Sequence, residues 1–361
     1  MKPLMLAIFA LTAVSLFAEW KTAEPGWQYE FPRDHRAHPE FKTEWWYFTG
    51  NLQAANGRRF GYQLTFFRQG IRPPNEQSSE LSRFVVRDLN FAHFTVTDVA
   101  DNRFHFAQKT SRGAYREAGF DEAARLAWID DWDLQLEANG AFRLHAKTSE
   151  QAIELQLSST KPPAIHGENG ISAKAASESH ASHYYSLTRL TSGGQVRIGG
   201  ETFRVEGESW FDHEWATNQL APEQVGWNWL SVQFDDATEL MLYQMRLENG
   251  APDPSSSGTW IDADGATTHL PNESFRMTPL AFWKSAKTGA TYPTKWRIEV
   301  PERGLVFEVR AVVADQELAL VPLAYWEGAI DVDGSRDGHA VKGRGYLELT
   351  GYAGRLRGLS R

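Results

Sequence analysis

The chain has 361 residues, 42% hydrophobic and 23% charged, a globular composition with enough length for two cores. A formal net charge of −9 argues against nucleic acid or an anionic membrane surface held by bulk charge. The absence of cysteine removes disulfides, thiolate metal sites, cysteine nucleophiles and a lipid-modified N-terminal cysteine together.

Met1 and Lys2 form a short basic start. Residues 3–18 are then apolar apart from Thr12 and Ser15, and Glu19 ends the run. This reads as a secretory signal peptide, too short for a confident membrane span. Cleavage is expected after Ala18; Leu16 at the −3 position is acceptable rather than ideal, which leaves an uncleaved anchor as the alternative. Removal takes one Lys and no acid, so the net charge moves from −9 to −10. The expected location is the periplasm or the exterior.

Residues 19–42 are irregular, with Pro25, Gly26, Pro32 and Pro39. A dense strand pattern begins at 43–52, turns at Asn56-Gly57 and returns over 59–68, where Phe60, Tyr62, Leu64 and Phe66 alternate with Arg59, Gly61, Gln63 and Thr65. A polar loop carries Pro73-Pro74, and 78–84 fits one short helical turn. Strands are predicted at 85–98, 103–109, 124–137 and 142–147, with a turn at Asn139-Gly140. Fourteen Trp, 21 Phe and 11 Tyr favour strands over helices and can also line an apolar pocket. The linker, residues 161–183, is long for a structureless connection. Strands resume at Tyr184-Tyr185-Ser186 and later at 225–234 and 238–248, followed by turns at Asn249-Gly250, Asp264-Gly265, Arg303-Gly304 and Asp333-Gly334.

The second half repeats the first. Glu44-Trp45-Trp46-Tyr47 with Gly61-Tyr62-Gln63-Leu64 resembles Gly226-Trp227-Asn228-Trp229 with Leu242-Tyr243-Gln244-Met245, offset by 181 residues from Gln63 to Gln244. The Trp132 and Phe142 hairpin resembles that of Trp296 and Phe307, offset by 164. The expected architecture is all-β: two copies of one antiparallel barrel or sandwich, at 19–204 and 205–361.

At that seam the stretch 207–220 sets Asp212, His213 and Glu214 among Trp210, Phe211 and Trp215. In a strand, 212 and 214 share a face and 213 points the other way, so all three converge only if the chain bends. A histidine near carboxylates suits proton transfer, and a carboxyl buried among rings can stay protonated as a general acid. The plainer alternative is a polar corner. Glu44 either faces a pocket or pairs with an arginine such as Arg59. Trp46, Trp229 and Trp260 are candidates for contacting an apolar ligand. No metal is expected: H-x-H and H-E-x-x-H are absent, and the Asp331–Asp337 run lacks the glutamate that closes a calcium loop. No cofactor is expected, since glycine-rich nucleotide motifs and G-x-S-x-G are absent.

Five blocks carry a resemblance: 38–52 (HPEFKTEWWYFTGNL), 60–68 (FGYQLTFFR), Lys161-Pro-Pro with His166-Gly-Glu-Asn-Gly170, Tyr184-Tyr185-Ser186, and 209–215 (SWFDHEW). In this order they resemble the AttH-like, carotenoid 1,2-hydratase-like lipocalin family. The resemblance implies two tandem lipocalin-like domains with a cleft between them. Members are labelled secreted hydrolases or hydratases, and some are encoded beside ABC-transporter components. For the hydratases it implies protonation of an alkene, stabilisation of the cation by aromatic faces, and addition of water. His213 and Trp215 match a His-x-Trp element, but Tyr243 is followed by Gln244 and Met245 where Tyr-x-Asp belongs, which argues against carotenoid hydration itself.

The expected site therefore has Asp212 and His213 as the proton-handling pair and Glu214 or Glu44 as second carboxylate. Tyr243 is the hydrogen-bond donor, and Trp46, Trp215, Trp229, Tyr185 and Trp260 form the wall around a lipophilic small molecule. The alternatives are a non-catalytic carrier serving ABC-transporter components, or an assembly role without ligand.

Overall fold

The computed structural model describes residues 19–74, 85–177, 179–320 and 324–356. The leader and the turn expected at 78–84 lie outside them. Among the described residues there is no α-helix, only strands and short 3-10 turns.

Two antiparallel sheets make up the fold. The main path of the first runs, edge to edge, through Arg103–Ser111, Asp88–Asp98, Arg59–Gly70, Thr43–Ala54, Glu201–Ala216, Ala181–Ile198, Gln151–Ser159, Phe142–Lys147, Trp132–Leu136, Arg125–Ile129 and Ala118–Glu122. The second runs through Thr267–Pro271, Ser257–Ile261, Glu239–Leu247, Gln224–Phe234, His339–Leu349, Ala324–Arg336, Leu305–Ala311, Thr291–Val300 and Arg276–Lys284. In each, the first strand pairs with the last, so the meander curls on itself. In the first sheet the curl brings Arg125–Ile129 against Asp88–Asp98 and Arg103–Ser111. Curling gives each sheet an apolar inside. Trp46, Phe48, Phe94, Leu144 and Phe211 fill the first, and Leu230, Phe234, Trp296 and Trp326 the second.

The boundary expected after residue 204 falls inside Glu201–Ala216. This strand pairs without a break with Thr43–Ala54, and a Cβ on its Gly207 would stand 2.2 Å from the Asn51 carbonyl oxygen. The change of sheet comes between Ala216 and Gln224. The strand expected over 124–137 is two, because Asp130 takes a left-handed turn (φ 52°) that aspartate tolerates. The 161–183 linker is tied down: Ala164–Ile165 and Ser172–Ala173 both pair with Ala181–Ile198, and Lys161 Nζ reaches Glu239 Oε2 of the second sheet at 2.7 Å.

Of the two sequence repeats, the first is structural in its leading strand but not in the strand that follows, where Gln63 pairs with Thr49 whereas Gln244 pairs with Asn228, the counterpart of Trp46. Trp45 and Tyr47, like Trp227 and Trp229, lie on a first strand next to its returning last strand. The second is displaced by one strand. The Trp132 hairpin holds the second and third places beyond Ala181–Ile198, whereas the Trp296 hairpin holds the first and second beyond Ala324–Arg336.

The sheets meet at a close seam. Asn51 Nδ2 donates to the Gly345 carbonyl at 3.1 Å, Gln233 Nε2 donates to those of Thr188 and Ser209, and Arg59 pairs with Asp331 at 2.5 Å. A Cβ on Gly61 would stand 2.7 Å from that of Ala329. Neither backbone can retreat, so Gly61→Ala is expected to lower stability by about 1–3 kcal/mol in urea denaturation. Adding Ala329→Gly should restore most of the loss; an unchanged single variant would mean the seam is looser than described.

Candidate active site

Alternation along two neighbouring strands divides their side chains between two compartments. On Thr43–Ala54, Glu44, Trp46 and Phe48 point into the first barrel, while Trp45 and Tyr47 point towards the second sheet. On Glu201–Ala216, Phe211, His213 and Trp215 point inward, and Trp210, Asp212 and Glu214 point to the seam. The strand does not bend enough to bring 212, 213 and 214 together, so Asp212 and His213 are not a pair.

On the seam side lies a cavity of about 1130 Å³. Two cross-strand rows face it: Tyr47 and Asp212, in register on the first sheet with Ser186 behind them, and Trp229, Glu348 and Glu327 on the second. Trp45, Tyr184, Trp227, Tyr243 and Tyr325 extend the walls. Trp229 meets Tyr47 edge-on at 5.3 Å between ring centres.

Asp212 is buried and held by three donors. Tyr184 OH donates to Oδ2 at 2.7 Å and Trp210 Nε1 to Oδ1 at 2.6 Å; Ser186 Oγ also donates to Oδ1. Tyr184 OH itself accepts from Trp229 Nε1 at 3.0 Å, which couples the two sheets. Burial pushes Asp212 up to about 7, further raised by the charge of Glu214 and opposed by the hydrogen bonds. Oδ1 has two donors and Oδ2 one, so Oδ2 keeps an open position at which a proton can come and go.

Three more carboxyls share the cavity. Glu214 Oε1 lies 2.9 Å from Lys174 Nζ, which is also 4.3 Å from the ring centre of Tyr243. Burial works against the ammonium of Lys174, but Glu214 outweighs it and keeps the pKa raised. Glu348 accepts from Trp227 Nε1 at 2.9 Å. Burial raises both Glu348 and Glu327; the charges of Asp212 and Glu214 add to the first, and that of Glu348 to the second. Two adjacent buried carboxyls that cannot both ionise behave as a pair sharing a proton. At the far end His93 Nδ1 meets Tyr325 OH at 2.7 Å, and burial lowers His93 to about 3, so it is neutral.

Of the expected residues, Asp212, Glu214, Tyr243 and Trp229 line this cavity. The Tyr243 hydroxyl is already engaged: it donates to the Ala173 carbonyl at 2.8 Å and accepts from Ser257 Oγ at 2.8 Å. The expectation of a free donor there is corrected, because the 161–183 segment takes its proton.

His213, Glu44, Trp46, Trp215 and Tyr185 lie together in the barrel interior, out of the cleft. Glu44 faces neither a pocket nor Arg59. Its oxygens meet His38 Nδ1 at 2.8 Å, His213 Nε2 at 3.0 Å and Arg68 Nε at 3.3 Å, and accept from the His38 amide. Burial alone would raise Glu44; His213, His38 and Arg68 hold it well below the ordinary carboxylate range. His38 loses proton affinity through burial but gains more from Asp34 and Glu44, ending at about 9. Its ring lies flat on Trp215 at 3.7 Å, and Tyr185 OH bonds His35 Nδ1 at 2.7 Å. Trp27, Tyr29 and Phe41 of the N-terminal segment close this end of the barrel. His38, Glu44 and His213 place donor atoms within 4.8 Å of one another, as metal ligands do. The nearby Arg68 guanidinium and the hydrogen bonds already spent on Glu44 make the group an ion-pair cluster instead.

Trp260 belongs to the second core, its Nε1 donating to Asp262 at 2.8 Å, and does not line the cleft. Sequence reasoning missed Glu327, Glu348 and Lys174. Glu327, set within Tyr325-Trp326-Glu327-Gly328, had the same signature as Glu44, a carboxylate in an aromatic strand. Glu348 and Lys174 carried no comparable signal.

A family model described as AttH-like matches residues 22–352. Among solved structures, an AttH protein from Nitrosomonas europaea is 33% identical with a TM-score of 0.82, covering 92% of this chain and 99% of its own. Kievitone hydratase from Nectria haematococca is 13% identical with a TM-score of 0.71, covering 93% and 97%, and CghA, solved with Sch210972, is 11% identical with a TM-score of 0.53, covering 87% and 90%. Those last two are likenesses of fold. No curated protein matches the sequence.

Proposed function

The chain belongs to the AttH-like family, and on that premise we propose an exported enzyme that binds an apolar, isoprenoid- or lipid-like molecule in the cleft and transforms it by acid–base hydration or hydrolysis. One observation carries the reading: a buried carboxyl near neutrality, Asp212, held by three donors beside aromatic faces and opposite a second carboxyl pair. That a hydratase is built on the same fold supports it.

In a hydration, protonated Asp212 delivers its Oδ2 proton to one alkene carbon, the π pair forms the new C–H bond, and the neighbouring carbon becomes cationic. Tyr184, Ser186 and Trp210 stabilise the carboxylate left behind, while the faces of Tyr47 and Trp229 stabilise the cation. Water adds, and the proton it sheds returns to Asp212 or to the Glu327–Glu348 pair. His213 and Glu44 have no part in the chemistry; they hold the strand that carries Asp212.

The test is native mass spectrometry of the protein taken from its own periplasm, with extraction of whatever is bound and incubation of that compound with fresh protein. A bound apolar compound converted to a product with one added water, or cleaved by it, is expected. Stoichiometric recovery of unchanged compound would make the protein a carrier, the role that fits association with a transporter. Absence of both binding and turnover for apolar compounds would overturn the proposal.

A further inference from the structure

Charge in the cleft is unbalanced. Asp212, Glu214, Glu327 and Glu348 line it, and Lys174, the buried cation among the described lining residues, is committed to Glu214. Of the remaining basic groups in the wall, Arg355 is exposed and pairs with Glu248, and Lys42 is half-buried. Asp212, Glu327 and Glu348 thus have no ion-pair partner among the described residues. Even with one proton on Asp212 and another shared by the glutamates, one negative charge is left over.

A second observation is independent of this count. The Tyr47 hydroxyl and Glu327 Oε1, on side chains only 7% and 1% exposed, line the cavity without a well-formed hydrogen bond; each has the other as its near polar neighbour, with Tyr325 beside Glu327. Buried groups of this kind are normally satisfied, so these two call for a ligand atom, and Glu327 Oε1 calls for a donor. The rings of Tyr47 and Trp229 beside them offer faces that attract cations.

We propose that the cleft takes amphiphiles whose polar end is a protonated amine, seated between the Glu327–Glu348 pair and the rings of Tyr47 and Trp229, and that it rejects carboxylate- and phosphate-ended lipids of the same length. The ammonium supplies N–H donors to Glu327 Oε1 and the Tyr47 oxygen, while the apolar body lies along Trp45, Phe67, Phe91 and Trp227. An anionic end would bring a further negative charge into a site that already holds an unpaired one. The inference rests on the cleft being the ligand site proposed above, and goes beyond it in naming the charge of the ligand.

Three probes of equal chain length test it: decylammonium, decanol and decanoate, titrated against the full chain by tryptophan fluorescence at pH 6 and pH 8. Decylammonium is expected to bind at least tenfold tighter than decanol at pH 8, and decanoate not measurably. Decylammonium affinity should rise several-fold from pH 6 to pH 8. The groups facing the amine are Asp212, Glu214, Glu327, Glu348, Lys174, Tyr47, Tyr184, Tyr325 and the neutral His93; of these, Asp212 and Glu348, both pushed up to about 7, gain negative charge across that range. Decanol affinity should not change. Glu327→Gln should abolish the preference for decylammonium while sparing decanol, and the pH comparison on the unmodified protein does not depend on that variant folding. Equal binding of decanol and decylammonium, or tighter binding of decanoate, overturns the inference and leaves the apolar cleft standing. Failure of all three to bind overturns the cleft as ligand site as well.

Discussion

Asp212→Asn is expected to lower kcat/KM for the cleft's substrate by about 10²–10⁴-fold while leaving ligand affinity within a few-fold. Asparagine is isosteric, and its single carbonyl oxygen can keep the two donors that now meet Oδ1, from Ser186 and Trp210. Its amide takes the place of Oδ2 and has no proton to give at neutral pH. Tyr184 OH can accept from that amide, since it already receives Trp229 Nε1 and has a lone pair to spare. The loss should therefore be chemical rather than structural. With Asp212 as the proposed acid, pushed up to about 7 in the ligand-free protein, kcat/KM of the unmodified protein should fall as pH rises above about 7. His213→Gln is the contrasting variant. It leaves the cleft lining intact, so its activity per folded molecule should stay within a few-fold, although less of it folds. Equal losses in the two variants, with folding matched, would mean that the cleft is not where the chemistry occurs.

Glu44→Ala is expected to remove about 3–5 kcal/mol of stability in urea denaturation at pH 7, without changing the cleft. The substitution takes from the buried cations of His38 and Arg68 one carboxylate each, leaving them Asp34 and Asp88, and takes the partner from His213 Nε2. The same cluster sets a pH window for the unmodified protein. Glu44 is depressed in the folded state, so its contribution is present above the ordinary carboxylate range and is lost as pH falls through the lowered value. His38 is raised to about 9, so its contribution is complete below its unfolded value near 6.5 and is lost as pH rises through about 9. Stability from this cluster should hold between the two limits and decline on both sides. In Glu44→Ala the alkaline decline should shrink, because His38 loses one of the carboxylates that raise it. Unchanged stability at pH 7 would refute the account of the cluster.

Local chemistry was legible in the sequence and distant chemistry was not. Strand placement, the Asn56-Gly57 and Asn139-Gly140 turns and the all-β class followed from a period of two and from residues that tolerate positive φ. The same period put Asp212 and Glu214 on one face and His213 on the other. What it lacked was the destination of each face. The partner of His213 is Glu44, 169 residues away, and the carboxyls opposite Asp212 come from strands more than 100 residues further along. In a fold built from non-local pairings, composition can mark a residue as unusual, but only sheet order says which unusual residues meet. Trp46, Trp215 and Trp229 looked alike for that reason: each is a tryptophan in an aromatic strand, and one step of parity separates barrel core from cleft wall. The 161–183 segment misled for another reason. Its small polar residues read as a loose linker, yet they pair along a strand edge and deliver Lys174 to the cleft.

The alternation on Glu201–Ala216 also bears on how such a protein can evolve. Two roles are threaded through one strand with a spacing of two: Asp212 and Glu214 line the cleft proposed to hold the ligand, while odd positions from 211 to 215 fill the barrel. Substitution can retune one set without disturbing the other. A single-residue insertion or deletion cannot, because it exchanges the sets, sending Asp212 into a greasy interior and an aromatic plug into the cleft. New ligand preferences in such a chain arise by replacement within the strand, and changes of length are confined to the loops that join one strand to the next.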